Sequence, residues 1–512
     1  MARNSKIIIA KNIKIDKEYK EVLNYTEQQM LALVNANKID SSNSYSFIKD
    51  TGEINTHFSY DDCLKCNYMA FQNPDYDNKW FFAFIDDIKY VNDATTNIKF
   101  TIDAWSTWFS KLTINSSFVI REHINDDTIG NNLVPENLET GEFVINNRYI
   151  DNKLSQMGIC VMLSDRSTTT QARVDGALNG GVYSGCIYDV TNINSISYVN
   201  NLLTDYDNAG KHDAIVGIFM CPTGVIDGFE PDATIGLELS SDEPFVYNYN
   251  SVNINNTIDG YTPKNNKLFT YPYNYLVASN NNGIDKVYRY EYFQNNKPNF
   301  RINAVICPGC SIKMNPVNYK NVSENDIEGI TAGKYPTCAW TTDLFTNWAT
   351  QNAVNRAVQL AGNVLQIAQG LAMENTSSLV GGAMGIANMV AQNYEHELTP
   401  DSARGNINCG DVICGSGKNT FIYYQYSVDK NFARIIDNYF SRFGYKTNLT
   451  KIPNITGRRY WNFIQIADSE VLGYGEVPQK FVDEINKIAR QGVTIWHDHQ
   501  YIGDYTLNNT IV

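Results

Sequence analysis

The chain has 512 residues, 41 Lys plus Arg against 55 Asp plus Glu, and a formal net charge of −14. At that length two to four domains, or one elongated protomer with insertions, are expected. An aromatic content of 12% with only 19% charged residues excludes a disordered chain, which lacks the apolar side chains that offset ordering entropy. The acidity also argues against a protein that grips nucleic acid through its phosphates, although acidic walls suit a surface past which DNA slides.

In chain order, Ile7-Ile8-Ile9-Ala10 stops at Lys11, too short for a secretory signal, and reads as a first strand. A helix is expected at roughly 17–36. Trp80 to Ile85 and Ile88 to Val91 read as two strands separated by Asp86-Asp87, and Ile98 to Trp105 alternates with period two. Phe118 to His123 continues this antiparallel meander. Between about 155 and 335 come short strands broken by Asn, Gly and Pro, among them Ile215 to Met220. Phe421 to Tyr424 follows further on. Cys221-Pro222, Thr262-Pro263 and Tyr271-Pro272-Tyr273 fit turns and edge strands. Further helices are expected at roughly 344–373, 379–394, 430–443 and 478–491. The fold class is therefore mainly β with a few helices (α+β), built of antiparallel sheets.

The stretch from Thr341 to Glu397 is chemically odd. Ala353, Val354, Ala357, Val358, Leu360, Ala361, Val364, Leu365, Ile367, Ala368, Leu371 and Ala372 recur at three- and four-residue spacing. Amides such as Asn355, Gln359, Asn363, Gln366 and Gln369 take the other side. Then come Leu379, Val380, Met384, Ile386, Met389 and Val390, with Gly381-x-x-x-Gly385 allowing close helix approach. No charge lies between Ala357 and Met373 or between Asn375 and Tyr394. The larger aliphatic side chains together favour burial by on the order of 20 kcal/mol before ordering costs. Such a segment is a core helical hairpin, an oligomer interface or a conditionally membrane-active loop; composition leaves these open. No run of about 18 strongly apolar residues marks a constitutive membrane span.

Signals for catalysis and metal binding are weak. Cys63-x-x-Cys66 and Cys307-x-x-Cys310 each offer half of a zinc site, but their separation is far larger than a compact ribbon allows, and both suit turns beside strands. The ten cysteines are expected to be reduced during cytoplasmic assembly. His497-Asp498-His499 is a lone HxH. No GxSxG, HExxH, P-loop or GxGxxG in a strand–helix context occurs. The expectation is no enzyme, no metal and no cofactor.

Three ordered blocks carry a resemblance. The first is Trp80 through Phe100, continued through Asp103, Trp105, Thr107 and Trp108. The second is Ser117-Phe118-Val119-Ile120-Arg121-Glu122-His123-Ile124-Asn125-Asp126-Asp127-Thr128-Ile129-Gly130, with Leu133-Val134-Pro135-Glu136 and Leu138-Glu139-Thr140-Gly141. The third is Tyr439-Phe440 and Phe443 through Asn448, with Lys451 to Asn454 and Arg458 to Ile464. Together they resemble the tail knob, or distal tail tube (major tail), proteins of small short-tailed phages of Gram-positive bacteria, the Picovirinae type.

That resemblance implies a multidomain, tube-forming protomer: a β-rich tube domain at 1–150, a β-rich middle at 151–340, an apolar helical or loop insertion at 341–400, and a C-terminal part at 401–512 completing the tube. It implies a homohexameric ring at the distal end of the virion tail, with upstream tail or collar proteins, the host cell membrane and passing phage DNA as partners. It also implies a hydrophobic loop that plugs the channel and is expelled into the membrane. That role falls to Val358, Leu360, Val364, Leu365, Ile367, Leu371, Leu379, Val380, Met384, Ile386, Met389 and Val390. The rival readings are a receptor-binding or cell-wall-degrading tail protein, and a tube subunit without membrane activity.

Overall fold

A computed structural model describes residues 5–48, 52–72, 77–151, 154, 156–163, 178–179, 182–183, 187–192, 196–211, 214–225, 237–239, 245–249, 252, 255–304, 311–335, 337–340, 404–406, 419–467, 471–472 and 475–512. The expectations placed on 344–373 and 379–394, including the apolar insertion, lie outside the described residues. The chain divides into two compact units, one of residues 1–139, 263–268 and 431–512, the other of 140–262 and 269–430.

The first unit holds a seven-stranded antiparallel sheet in the order Lys38–Ser42, Lys6–Ala10, Tyr68–Gln72, Trp80–Asn92, Thr95–Ile102, Glu53–Thr56, Ser46–Ile48. Trp80–Asn92 is a single strand rather than two. Asp86-Asp87 does not end it, because the ladder to Thr95–Ile102 absorbs the pair as a register shift between Ile85 and Asp87. The next strand stops before Trp105. Asp103 accepts a hydrogen bond from the Ser106 amide and caps a short helix, Ala104–Trp108. Trp105 is fully buried there and donates from Nε1 to the Leu23 carbonyl.

A five-stranded sheet completes this unit, in the order Glu21–Leu23, Val493–Trp496, Trp461–Ile466, Ser117–Glu122, Tyr445–Lys451. Glu21–Leu23 pairs parallel to Val493–Trp496. That pairing, together with Tyr19 at φ 52°, takes residues before 26 out of the helix expected at 17–36. The helix begins where Thr26 and Gln29 form a reciprocal capping box, and runs Glu27–Ala36. The expectations at 430–443 and 478–491 correspond to helices Lys430–Phe443 and Gln479–Gln491. Gln479–Gln491 buries Phe481, Val482, Ile485, Ile488 and Ala489 on one stripe.

The second unit is likewise antiparallel. Its four-stranded sheet runs Phe143–Ile150, Ile422–Val428, Asn274–Ser279, Asp285–Tyr288; a six-stranded sheet is centred on Met157–Leu163 and Ile215–Pro222; a further sheet is built on Phe300–Ala304 and Ser311–Tyr319. A helix, Ile196–Asn208, stands where sequence reading expects only strands. Its buried residues Val199, Leu203 and Tyr206 sit at helical spacing, but Asn and Asp around them blur the pattern. The mainly β, antiparallel architecture with few helices agrees with the expected class.

Candidate functional site

The twelve apolar residues singled out from sequence, Val358 through Val390, lie outside the described residues, so the site is built from the signature blocks. Two of these blocks meet. Ser117–Glu122 lies between Tyr445–Lys451 and Trp461–Ile466, placing Arg121 opposite Lys446 and Glu122 opposite both Tyr445 and Ile464. Residues more than 300 positions apart in sequence thus share one sheet.

Three of the charges meet in a dry joint. The Glu136 side chain is 1% exposed, pairs with Arg121, and accepts from Lys267 Nζ at 2.8 Å and from the Lys446 amide at 2.8 Å. Arg121 Nη1 also donates to the Gly444 carbonyl at 2.7 Å, and Lys267 Nζ donates to the Val134 carbonyl at 2.9 Å. Burial lowers the Lys267 pKa, and Glu136 opposes that shift. Nearby, the Glu122 carboxylate accepts from the Asn454 amide at 2.8 Å and pairs with Lys451.

The segment 263–268 is fastened by carboxylates. Asp437 accepts from the amides of Lys264 and Asn265 at 2.9 and 3.0 Å and from Asn265 Nδ2 at 2.8 Å. Asp127 accepts from the Asn266 amide at 2.9 Å and the Tyr445 hydroxyl at 2.6 Å; burial raises its pKa. Gly444 ends the helix before it at φ +66°, and a Cβ there would lie 2.0 Å from the Glu122 carbonyl oxygen. The Phe-Gly-Tyr of the third block is therefore dictated by this close approach.

His123 belongs to the same joint. Its Nδ1 accepts from the Phe463 amide at 2.8 Å, which leaves Nε2 to donate to the Ser441 carbonyl at 3.1 Å. Burial, with Arg458 and Arg121 adding to it, pushes the imidazole down to about 3, so it is neutral at physiological pH. These groups bond mainly to one another and to backbone, which builds a joint; a concavity of about 180 Å³ lined by Asp127, Lys264, Asn265, Ser441 and Arg458 opens beside it.

Cys63 and Cys66 are both buried, and burial pushes their thiols up to about 12 and about 11. Cys307 and Cys310 lie outside the described residues. His497 faces Asn462 Oδ1 at 3.0 Å, while His499 Nε2 accepts from the Lys14 amide at 3.1 Å. Among the described residues no group of three or more His, Cys, Asp and Glu is placed to hold a metal ion, and no helix is long and apolar enough to cross a membrane.

Two concavities went unread in the sequence. One, of about 500 Å³ in the first unit, is walled by Phe47, Phe71, Phe81, Phe100, Trp108 and Phe481. The other, an open groove of about 490 Å³ in the second unit, is lined by Tyr271, Val287, Arg289, Tyr292, Lys320 and Glu328. Lys286 and Lys320 hold the Glu328 carboxyl below its ordinary value, whereas burial raises that of Glu291, which accepts from the Tyr271 amide at 3.3 Å. Aromatic residues are spread along the whole sequence, and spacing alone does not show which share a wall.

The chain is similar to phage tail proteins in both its N-terminal and its C-terminal portions. Residues 243–510 match the family described as the C-terminal domain of the Bacillus phage phi29 tail knob protein gp9, and residues 3–113 match the caudoviral major tail protein N-terminus. The chain is 24% identical to tail knob protein gp9 of Bacillus phage PZA over 556 residues, with 91% of each covered. It is 23% identical to tail knob protein gp9 of Bacillus phage phi29, with 88% of each covered. Its fold matches the tail knob protein gp12 of bacteriophage C1 with a TM-score of 0.63 at 15% identity, over 99% of this chain and 100% of that one. The chain belongs to the tail knob protein family of these short-tailed phages.

Proposed function

We propose that this protein is the structural knob at the distal end of a phage tail, a closed ring, most simply of six copies, through which the genome passes, and that it is not an enzyme. Closed rotational symmetry gives a ring rather than a filament. The net charge of −14 suits a conduit past which DNA slides without adhering. The apolar stretch around 345–395, charged at Arg356, Glu374 and Glu395 alone, is the membrane-active part. Before ejection its aliphatic side chains pack copy against copy and close the tube; afterwards the bilayer accepts the same surface. Amide side chains serve both states, since they bond between helices or line a wet pore without the cost of a buried charge. Linked copies act together, so modest affinity per copy becomes firm attachment.

Family membership over both the N-terminal and C-terminal portions of the chain is the observation that carries this reading. Liposome leakage tests its membrane half. The assembled protein is expected to release a trapped dye from vesicles, and Leu365→Asp/Ile367→Asp/Leu371→Asp to abolish release while leaving the ring intact. Vesicles that stay sealed at both neutral and mildly acidic pH would make the segment a permanent interface instead.

A further inference from the structure

The four-stranded sheet of the second unit departs from the usual rule, in which an antiparallel sheet keeps its apolar face inward and its polar face wet, because both of its faces carry apolar side chains. The inward face mixes Leu276, Ala278, Tyr288 and Tyr423 of the core with the buried Asn274, Gln425 and Ser427. The outward positions are mostly apolar, with Arg148 among them. Ile145, Tyr426 and Tyr275 stand in register across three strands, and Arg148, Tyr424, Val277 and Val287 form the adjacent row across four. Phe143, Ile145, Ile150, Tyr271 and Val287 are 37%, 52%, 40%, 40% and 47% exposed. These five side chains alone present roughly 400 Å² of surface, the size of the largest patches on a soluble monomer. Strands covered on both faces read as near-continuous apolar runs, and Ile422-Tyr423-Tyr424-Gln425-Tyr426-Ser427-Val428 approaches that pattern.

We propose that this outer sheet face, with Ile145, Tyr275, Val287 and Tyr426 at its centre, is covered by a second copy of the same chain, forming the contact between neighbours in the ring. The inference rests on the ring reading above. Three observations select this occupant. The first is size: a standard protein interface buries about 800 Å² per partner around an apolar, fully desolvated centre, and this patch matches such a centre. The second is charge. Arg148 and Arg289 flank the aromatic rows, whereas the chain as a whole carries −14, so another copy offers the complementary sign.

The third is ring orientation. Tyr275 and Tyr426 are stacked on each other at 5.6 Å and 8°, and Phe143 and Tyr271 flank Tyr275 edge-on at 5.5 and 5.7 Å. Arg148 lies over Tyr424, and Arg289 over Tyr271 at 4.0 Å. Sugar recognition needs aromatic faces open to a pyranose ring. Here a neighbouring ring or guanidinium covers one face each of Tyr275, Tyr426, Tyr424 and Tyr271 within the chain, which leaves a surface better suited to interlocking protein side chains than to a sugar ring.

Sedimentation velocity on the full-length protein at micromolar concentration tests this, with Ile145→Asp and Val287→Asp as probes and Ile327→Asp, at an 85% exposed loop position, as control. Both probe positions are solvent-exposed, so unchanged circular dichroism and thermal unfolding are expected. Wild type and control are expected to sediment as one closed oligomer. The two probe variants are expected to sediment largely as 57.9 kDa chains, with association weakened at least roughly 30-fold. Probe variants that assemble like wild type overturn the inference and leave the ring reading standing. So does equal disruption by all three substitutions. Wild type pelleting with purified cell-wall glycan, lost in the probe variants while their oligomer persists, assigns the face to a glycan instead. Wild type that stays a monomer throughout sinks the ring reading itself, and this inference with it.

Discussion

Two antiparallel sheets of this chain dispose of their side chains in opposite ways. In the five-stranded sheet of the first unit, ionisable side chains go inward: Arg121, Glu122 and the neutral His123 follow one another on or just beyond a single strand, and every one is buried. In the four-stranded sheet of the second unit, apolar side chains go outward as well as inward, and the buried amides of Asn274 and Gln425 sit among the inward ones. Either arrangement violates the simple pattern of apolar-in and polar-out, and each implies a different compensation. Buried ions need partners within the chain, and they have them. Outward tyrosines, valines and isoleucines need a partner from outside it. One region is complete as folded; on the proposed ring reading, the other is complete only when assembled.

The comparison breaks most readily at Glu136. Glu136→Ala leaves Arg121 and Lys267 buried without their counter-charge, at a cost of about 3–5 kcal/mol in the unfolding of the first unit, measured by urea titration. Ile145→Asp, by contrast, is expected to leave that titration unchanged and to act on assembly alone. A loss of stability from Ile145→Asp equal to that from Glu136→Ala would erase the distinction.

Acid sharpens the same contrast. His123 sits at about 3 in the folded chain against an ordinary imidazole value of 6.5, so between those limits the unfolded chain holds the extra proton. Stability is therefore fully present above pH 6.5 and falls as pH drops toward 3, by up to about 1.4 kcal/mol per pH unit. His123→Gln, which can accept from Phe463 and donate to Ser441, is expected to flatten this slope. An unchanged slope in that variant would remove His123 from the explanation.

Gly444→Ala is the next largest expected effect. A Cβ 2.0 Å from the Glu122 carbonyl oxygen, at φ +66°, costs about 2–4 kcal/mol and is read by the same titration. The smallest effect belongs to the buried thiols. Cys63→Ala is expected to cost about 1 kcal/mol, and a chelator is expected to leave the melting temperature of the wild type where it is. A fall in melting temperature on chelation would restore a metal role for this pair.

Much of the local structure was legible because its signals are local. Ile7 to Ala10 and Phe118 to Glu122 lie on strands, with His123 just beyond, and the 430–443 and 478–491 helices appear within a residue of the expected ends. Errors came where a longer-range contact overrode local preference. Asp86-Asp87 looked like a turn, but pairing with Thr95–Ile102 carries the strand through it. Trp105 continued an alternating pattern, yet Asp103 was already a cap. Residues 17–26 favoured helix until Glu21–Leu23 found a strand near the other end of the chain. The charged joint was not legible at all. Nothing near Pro135-Glu136 announces that Glu136 meets Lys267, because that pairing spans 131 positions. The outward aromatic face was hidden for a related reason: alternation shows that a strand has two faces, not which of them the rest of the chain covers.

Projection imaging of the purified wild-type protein tests the central claim most directly. A closed ring of rotationally related copies around an axial channel is expected, with neighbours in contact through the second unit. A field of separate, single-chain particles at micromolar concentration would contradict it.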